Sequence, residues 1–215
     1  MDGFKALVIL IFIFLVILML ISVLPSMVLG IVLHRFKKYR LASNFATALL
    51  KTPFFRRSQS CLINRSLAHL ELKEYQLTIE DSTHAIELNE TAFVAYNIRG
   101  MAYIQVKQPQ KALQDFNRAL ELRPSYYSAQ RNRVSANMDL KRYEQVIQEC
   151  NKLIPLHPKD HGLNGFRGLA NFSIGRYEEA SKDFDYVIKL YPEVNPFTKL
   201  KEIATNMQAA AAKDQ

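Results

Sequence analysis

The chain has 215 residues, 49% of them apolar, with 28 Lys or Arg against 20 Asp or Glu and a formal net charge of +8. That excess would suit a nucleic-acid partner, but its placement argues against one: residues 34 to 70 hold eight Lys or Arg and no acid, whereas residues 71 to 215 hold 19 basic and 19 acidic side chains. Only two cysteines occur, Cys61 and Cys150, far apart, which suits buried thiols in a reducing compartment rather than a disulfide framework.

In chain order, a short start over 1–5 leads into 28 uncharged residues from Ala6 to Leu33, mostly Leu, Ile, Val and Phe. About 20 apolar residues suffice to cross a bilayer. A cleaved leader would carry an apolar core of ~7 to 15 residues ending at a small-x-small site. Here the run is longer and is followed by His34-Arg35-Phe36-Lys37-Lys38-Tyr39-Arg40. The expectation is therefore a transmembrane helix over 6–33 in a single-pass protein. Because a Lys/Arg-rich flank stays cytoplasmic, the amino terminus should lie outside and the remainder in the cytosol. Ser22, Ser26 and Gly30 recur every four residues as a ridge on which another membrane helix can pack, unless they are small residues scattered in a plain anchor. Arg35, Lys37, Lys38 and Arg40 are candidates for contact with anionic lipid headgroups, worth about 1 kcal/mol each near the surface. The alternative is a topogenic flank with no later role.

Within the basic juxtamembrane segment 34–58, Tyr39, Ala42, Ala46 and Leu49 ahead of Pro53 read as a single helix, half of a degenerate repeat that covers the first full hairpin. Beyond it the chain repeats. Pro124, Pro158 and Pro192 stand 34 residues apart, and at that period columns align as Leu88, Leu122, Leu156, Leu190 and as Ala68, Ala102, Ala136, Ala170. The units are 59–92, 93–126, 127–160 and 161–194. In the second, Tyr96, Gly100, Tyr103 and Val106 form one helical stripe and Ala112, Leu113, Phe116, Ala119 and Leu120 another, parted by a turn at Gln108-Pro109. Each unit is thus a helical hairpin, and a hairpin of this size buries its apolar face by stacking on its neighbours. After the last unit, Asn195-Pro196 and the stripe Phe197, Leu200, Ile203, Met207 predict a capping helix and tail over 195–215.

Gly100, Tyr103, Ala112, Phe116, Ala119 and Pro124 make the second unit resemble a tetratricopeptide repeat. Gly168, Tyr177, Ala180, Phe184 and Pro192 make the fourth similar. The first and third depart from the pattern, with Glu90 for the proline, Ser82 and Cys150 for the phenylalanine, and Val134 for the glycine. The resemblance covers 59–194 and implies an all-α solenoid of four hairpins, a right-handed superhelix with a concave peptide-binding face. On that face it places Asn97 and Met101, Arg131 and Asn132, then Gly165, Phe166, Leu169 and Phe172. The lysine, asparagine and arginine clamp of chaperone-tail-binding relatives is not rebuilt at the matching Ile63, Leu67, Ile98, Ser128 and Asn132.

Arg65, Arg99, Arg133 and Arg167 share one column, and sixteen residues after each comes Asp81, Asp115, Glu149 or Asp183. Across a hairpin those positions face each other, so the series is either a set of internal ion pairs or a ladder for an acidic partner. Chemistry is otherwise sparse. His157 and His161 are four apart but Pro158 intervenes and no Cys or carboxylate set completes a zinc site. No phosphate-cradling glycine loop or nucleophile elbow occurs. The expectation is a non-enzyme without cofactor, metal or small-molecule substrate: a membrane-anchored scaffold that binds protein partners on its cytosolic repeats. The alternative is an accessory subunit or assembly factor of a larger membrane complex, docking through the transmembrane helix as well. A regulatory adaptor that delivers an enzyme to a protease is a third reading, weakened by the lack of a paired-cysteine metal domain.

Overall fold

The computed structural model describes residues 37–53, 55, 57–192 and 197–211, without the side chains of 210 and 211. The expected membrane span 6–33, with Ser22, Ser26, Gly30 and the flanking Arg35, lies outside the described residues, among which no helix is long and apolar enough to cross a membrane.

Among the described residues there are ten helices and no strand: α1 (Tyr39–Leu50), α2 (Gln59–Glu71), α3 (Tyr75–Leu88), α4 (Phe93–Gln105), α5 (Pro109–Leu122), α6 (Tyr127–Asp139), α7 (Tyr143–Leu156), α8 (Gly162–Ser173), α9 (Tyr177–Leu190) and α10 (Phe197–Ala211). They form two compact units, one running to Lys107 and including Glu121–Arg123, the other comprising Gln108–Leu120 and the chain from Pro124 onward.

The first unit stacks in chain order, α1 on α2, α2 on α3 and α3 on α4. Leu62 of α2 packs with Ala85 and Ile86 of α3 and with Ala92 and Ala95 at the start of α4. In the second unit α7 packs on both α6 and α8, and α9 on both α8 and α10. Its centre is Val134, Val146, Ile147, Cys150, Leu153, Leu163 and Ala170. Burying a side chain such as Leu62 or Leu163 contributes roughly 1.5–3 kcal/mol, and the repetition of such positions is what holds short helices in place.

The turn inside each hairpin recurs as one geometry. Lys73, Lys107, Lys141 and Gly175, each 34 residues apart, all have positive φ, between 57° and 81°. The residue after three of them closes the helix end by a six-residue hydrogen bond, Glu74 N–H to His69 O at 2.8 Å, Arg142 to Asn137 and Arg176 to Asn171 at 2.9 Å. This is the left-handed cap that glycine favours, here formed three times by lysine.

The arginine column is structural. Arg65 grips Asp81 through two bonds of 2.7 and 2.6 Å, and Arg167 grips Asp183 through two of 2.9 and 2.7 Å. A further nitrogen reaches back to the preceding helix pair: Arg65 to Thr47, Arg99 to Thr83, Arg133 to Asn117 and Arg167 to Asn151. Each guanidinium therefore ties successive hairpins together, and Arg65 and Arg167 also close their own. Arg133 is the loose rung. Its Nε lies 3.0 Å from Glu149 Oε1 but does not point at it, and Glu149 Oε2 is buried without a hydrogen bond. Glutamate is one methylene longer than the aspartates at Asp81 and Asp183, which disturbs the side-by-side fork.

Candidate functional site

The second unit carries a groove of about 410 Å³ between the start of α8, the end of α9 and the start of α10, with α6 on one flank. Its floor is Gly165, Phe166, Leu169, Val187 and Phe197, and its rim holds Arg131, Lys159, Asp160 and His161. Three of the residues placed on the concave face by sequence, Gly165, Phe166 and Leu169, thus meet in one depression with Arg131 beside them. Asn132 is half-buried outside its lining. Phe172 turns toward the hairpin's own core, 5.6 Å from the ring of Tyr177 and 6.3 Å from that of Phe184. In the first unit Asn97 is only 4% exposed, its amide 3.6 Å from Met101 Sδ, so Met101 presents more surface there.

Phe197 occupies the space in front of Gly165. A Cβ on Gly165 would lie 3.0 Å from Phe197 Cζ, and the Phe197 ring stacks on Phe184 at 5.2 Å between centroids. The glycine admits the capping helix, so part of the groove floor belongs to α10. A bulky replacement at Gly165 would consequently disturb α10 as well as any ligand.

Arg131 is held by a network that sequence reading missed. Asp160 Oδ2 accepts from the Tyr127 hydroxyl and from Arg131 Nε at 2.7 Å, and Asp160 Oδ1 accepts from Gly162 N–H at 3.0 Å. Tyr127 also lies against His157, with ring centroids 3.7 Å apart. Burial pushes the Asp160 carboxyl up, but the donations from Tyr127 and Arg131 outweigh it and hold the group below its ordinary value. Burial, followed by the hydrogen bond to that carboxylate, pushes the Tyr127 phenol well above its usual range. Asp160 therefore stays ionised around neutral pH and Tyr127 stays a donor. The Arg131 guanidinium stands 5.9 Å from the centroid of the Phe166 ring, a cation over an aromatic face. The signal that could have revealed this was a lone acid, Asp160, at the hairpin junction 33 residues after Tyr127.

Neither histidine singled out by spacing joins a metal set. His161 lies near Tyr186 and Tyr191, His157 near Tyr127, and no cluster of three or more metal-ligating side chains is found among the described residues. Of the basic flank, Lys37 and Lys38 are exposed, while Arg40 is 2.7 Å from Glu74. Glu74 also meets His69 Nδ1 at 2.6 Å, and the opposite His69 nitrogen lies 3.3 Å from the buried Ser43 hydroxyl. This arrangement joins α1 to the first hairpin. With Ser43 only 4% exposed, it gives a substrate no approach.

Successive helical hairpins, with a groove in the second unit, define a helical-repeat fold. Residues 93–126 match the tetratricopeptide repeat. No curated protein matches it. Among solved structures it is similar to a tetratricopeptide repeat protein of Parabacteroides merdae, at 25% identity and a TM-score of 0.63, over 76% of this chain and 63% of that one. The chain thus spans less than two thirds of that relative's length. It shares its fold with YrrB, described as having an unusual peptide-binding site, at 14% identity and a TM-score of 0.67, over 85% and 91% of the two chains. It is also similar to the first such domain of Spaghetti (RPAP3) bound to the HSP90 peptide SRMEEVD, at 25% identity and a TM-score of 0.51, over 54% and 91%.

Proposed function

We propose that the chain is a membrane-anchored adaptor that gathers protein partners at the cytosolic face, holding a segment of the partner in the groove between α6, α8, α9 and α10. The observation that carries this reading is the groove itself: an apolar floor at Phe166, Leu169 and Phe197 beside a guanidinium that Asp160 keeps in place. Recognition sites of this kind combine an apolar recess with a few fixed polar groups. The peptide held by the similar Spaghetti domain supports peptide as the ligand class. The uncharged run Ala6–Leu33 and the basic residues after it support the anchor and its orientation. Lys37 and Lys38 would then face anionic headgroups close to the bilayer.

The test is a photo-crosslinking amino acid placed at Phe166 in the full-length chain in intact membranes, compared with the same group at the exposed Lys182. Discrete protein adducts at 166 and none at 182 are expected. An equal adduct pattern at both positions would remove the groove as the partner site.

A further inference from the structure

The charge and spacing of this groove say more about its ligand than that it is a peptide. Asp160 engages Arg131 on the Nε edge, and among the described residues no other acid lies within ion-pair distance of this arginine. Arg131 is itself part of the groove lining. Its Nη2 is 3.1 Å from the point where a side chain on Gly162 would begin, and glycine leaves that approach clear. Asp160 is the one acid in the lining, and Tyr127, Arg131 and Gly162 all donate to it, against the cations Arg131 and Lys159 on the same rim. The rim therefore attracts a carboxylate, and a bound carboxylate would meet a guanidinium already oriented.

The distance from this cation to the apolar floor sets the spacing of the ligand. Arg131 Cζ is 5.9 Å from the Phe166 ring centroid. In an extended chain neighbouring side chains point to opposite faces, while those two apart share a face about 6.6–6.8 Å from each other. A cavity of about 410 Å³ has room for one large apolar side chain with its flanking backbone. We propose that the groove binds an internal, extended peptide segment with an acidic side chain on Arg131 and, two residues away, an aromatic or branched apolar side chain on the floor formed by Phe166, Leu169 and Phe197. This rests on the adaptor reading above and names the ligand of its groove.

The experiment uses the full-length chain in detergent micelles and fluorescein-labelled peptides, acetylated and amidated at their ends, in a Gly/Ser background carrying Glu-Ser-Phe, Gln-Ser-Phe, Glu-Ser-Ala or Glu-Phe. Fluorescence anisotropy should give binding of Glu-Ser-Phe about tenfold tighter than the other three, with the advantage over Gln-Ser-Phe shrinking as salt is raised. In Arg131→Gln the difference between the Glu-Ser-Phe and Gln-Ser-Phe peptides should vanish, while Lys182→Gln should leave it intact. Equal binding of those two peptides by the unaltered chain, or an unchanged ratio in folded Arg131→Gln, would each overturn the proposal. So would binding by none of them. The change made on the peptide decides the matter even where Arg131→Gln fails to fold. Crosslinking from position 166 to a membrane partner would still hold if these peptides failed, so loss of the ligand rule and loss of the adaptor reading give different results.

Discussion

The tight approach of α8 and α9 gives a prediction that can be worked from distances. A Cβ on Gly168 would lie 2.7 and 2.9 Å from two atoms of the Phe184 ring and 3.0 Å from Asp183 Cβ. Phe184 is fully buried and stacked on Phe197, so the ring has nowhere to swing. Asp183 is gripped by Arg167, so moving α9 outward strains that fork. Overpacking of this kind costs about 1–3 kcal/mol, against a gain of roughly 1 kcal/mol when glycine in a helix becomes alanine. Gly168→Ala should thus be close to neutral or lose about 2 kcal/mol. Gly168→Val, larger and β-branched, should lose about 3 kcal/mol.

The third repeat contains the compensation. Val134 and Cys150 occupy the columns of Gly168 and Phe184, and both are fully buried in one cluster. The larger residue on one helix faces the smaller on the other. Phe184→Cys alone should cost about 3 kcal/mol, from lost ring burial and the cavity left behind. The pair Gly168→Val with Phe184→Cys should lose at least about 1 kcal/mol less than the sum of the singles, because the valine fills space the ring vacates. The measurement is thermal and urea unfolding of the reduced chain in micelles, followed by circular dichroism at 222 nm. Additivity within about 0.5 kcal/mol would mean that the two columns do not trade volume, and the argument would fail.

Other expectations rest on individual contacts. Glu149→Asp should let Arg133 form the side-by-side fork seen at Asp81 and Asp183 and raise stability by about 1 kcal/mol at neutral pH, measured by urea titration. Burial, only partly countered by Arg133, lifts the Glu149 carboxyl above its ordinary value. Its contribution is therefore fully present at acid pH and is lost as pH rises through the raised value, so the advantage of the aspartate should shrink as pH falls. Lys141→Gly should stabilise by up to about 1 kcal/mol and Gly175→Lys destabilise by a similar amount, read from thermal midpoints, since both positions have positive φ. Burial pushes the Cys150 thiol up to about 12, so it should resist modification by a thiol reagent at pH 8 until the chain unfolds. A cysteine at Gln215 should be protected from impermeant thiol reagent in right-side-out vesicles, and labelling without lysis would reverse the proposed orientation.

The hairpin fold was legible because its signals repeat. The proline, alanine and leucine columns each recur at one period, and helical stripes lie between them. The left-handed turns were hidden by composition, since three of the four positions are lysine and only Gly175 carries the usual signal. The arginine pairs could be read from the sixteen-residue offset, but the reach back to Thr47, Thr83, Asn117 and Asn151 could not, because neutral side chains leave no charge pattern. At the groove, Phe166 and Leu169 were found from their helix face. Phe197 was missed for a different reason: an apolar stripe shows that a capping helix docks, and does not show which ring enters which gap. Asp160 was missed because its partners Tyr127 and Arg131 lie 33 and 29 residues away, a separation meaningful only once the hairpins are stacked.

That separation also connects stability to binding. Asp160 lies at the junction of the third and fourth repeats, and its bonds to Tyr127 and Arg131 on α6 and to the Gly162 N–H at the start of α8 tie these elements together. The same carboxylate thus fixes how the two hairpins meet and how the guanidinium is aimed at the groove. On the other side of the groove, Phe197 plays the matching part, filling the gap above Gly165 while offering part of the floor. Both walls are therefore set by contacts between repeats and cap that form with the fold, so the proposed ligand would meet groups already in position. Ordering costs that would otherwise weaken a short peptide are reduced by such preorganisation. Removing Asp160 should consequently weaken ligand binding more than it weakens the fold: Tyr127 and Gly162 are near the surface and can turn to water, but an Arg131 without its anchor has to be reordered for each ligand it holds.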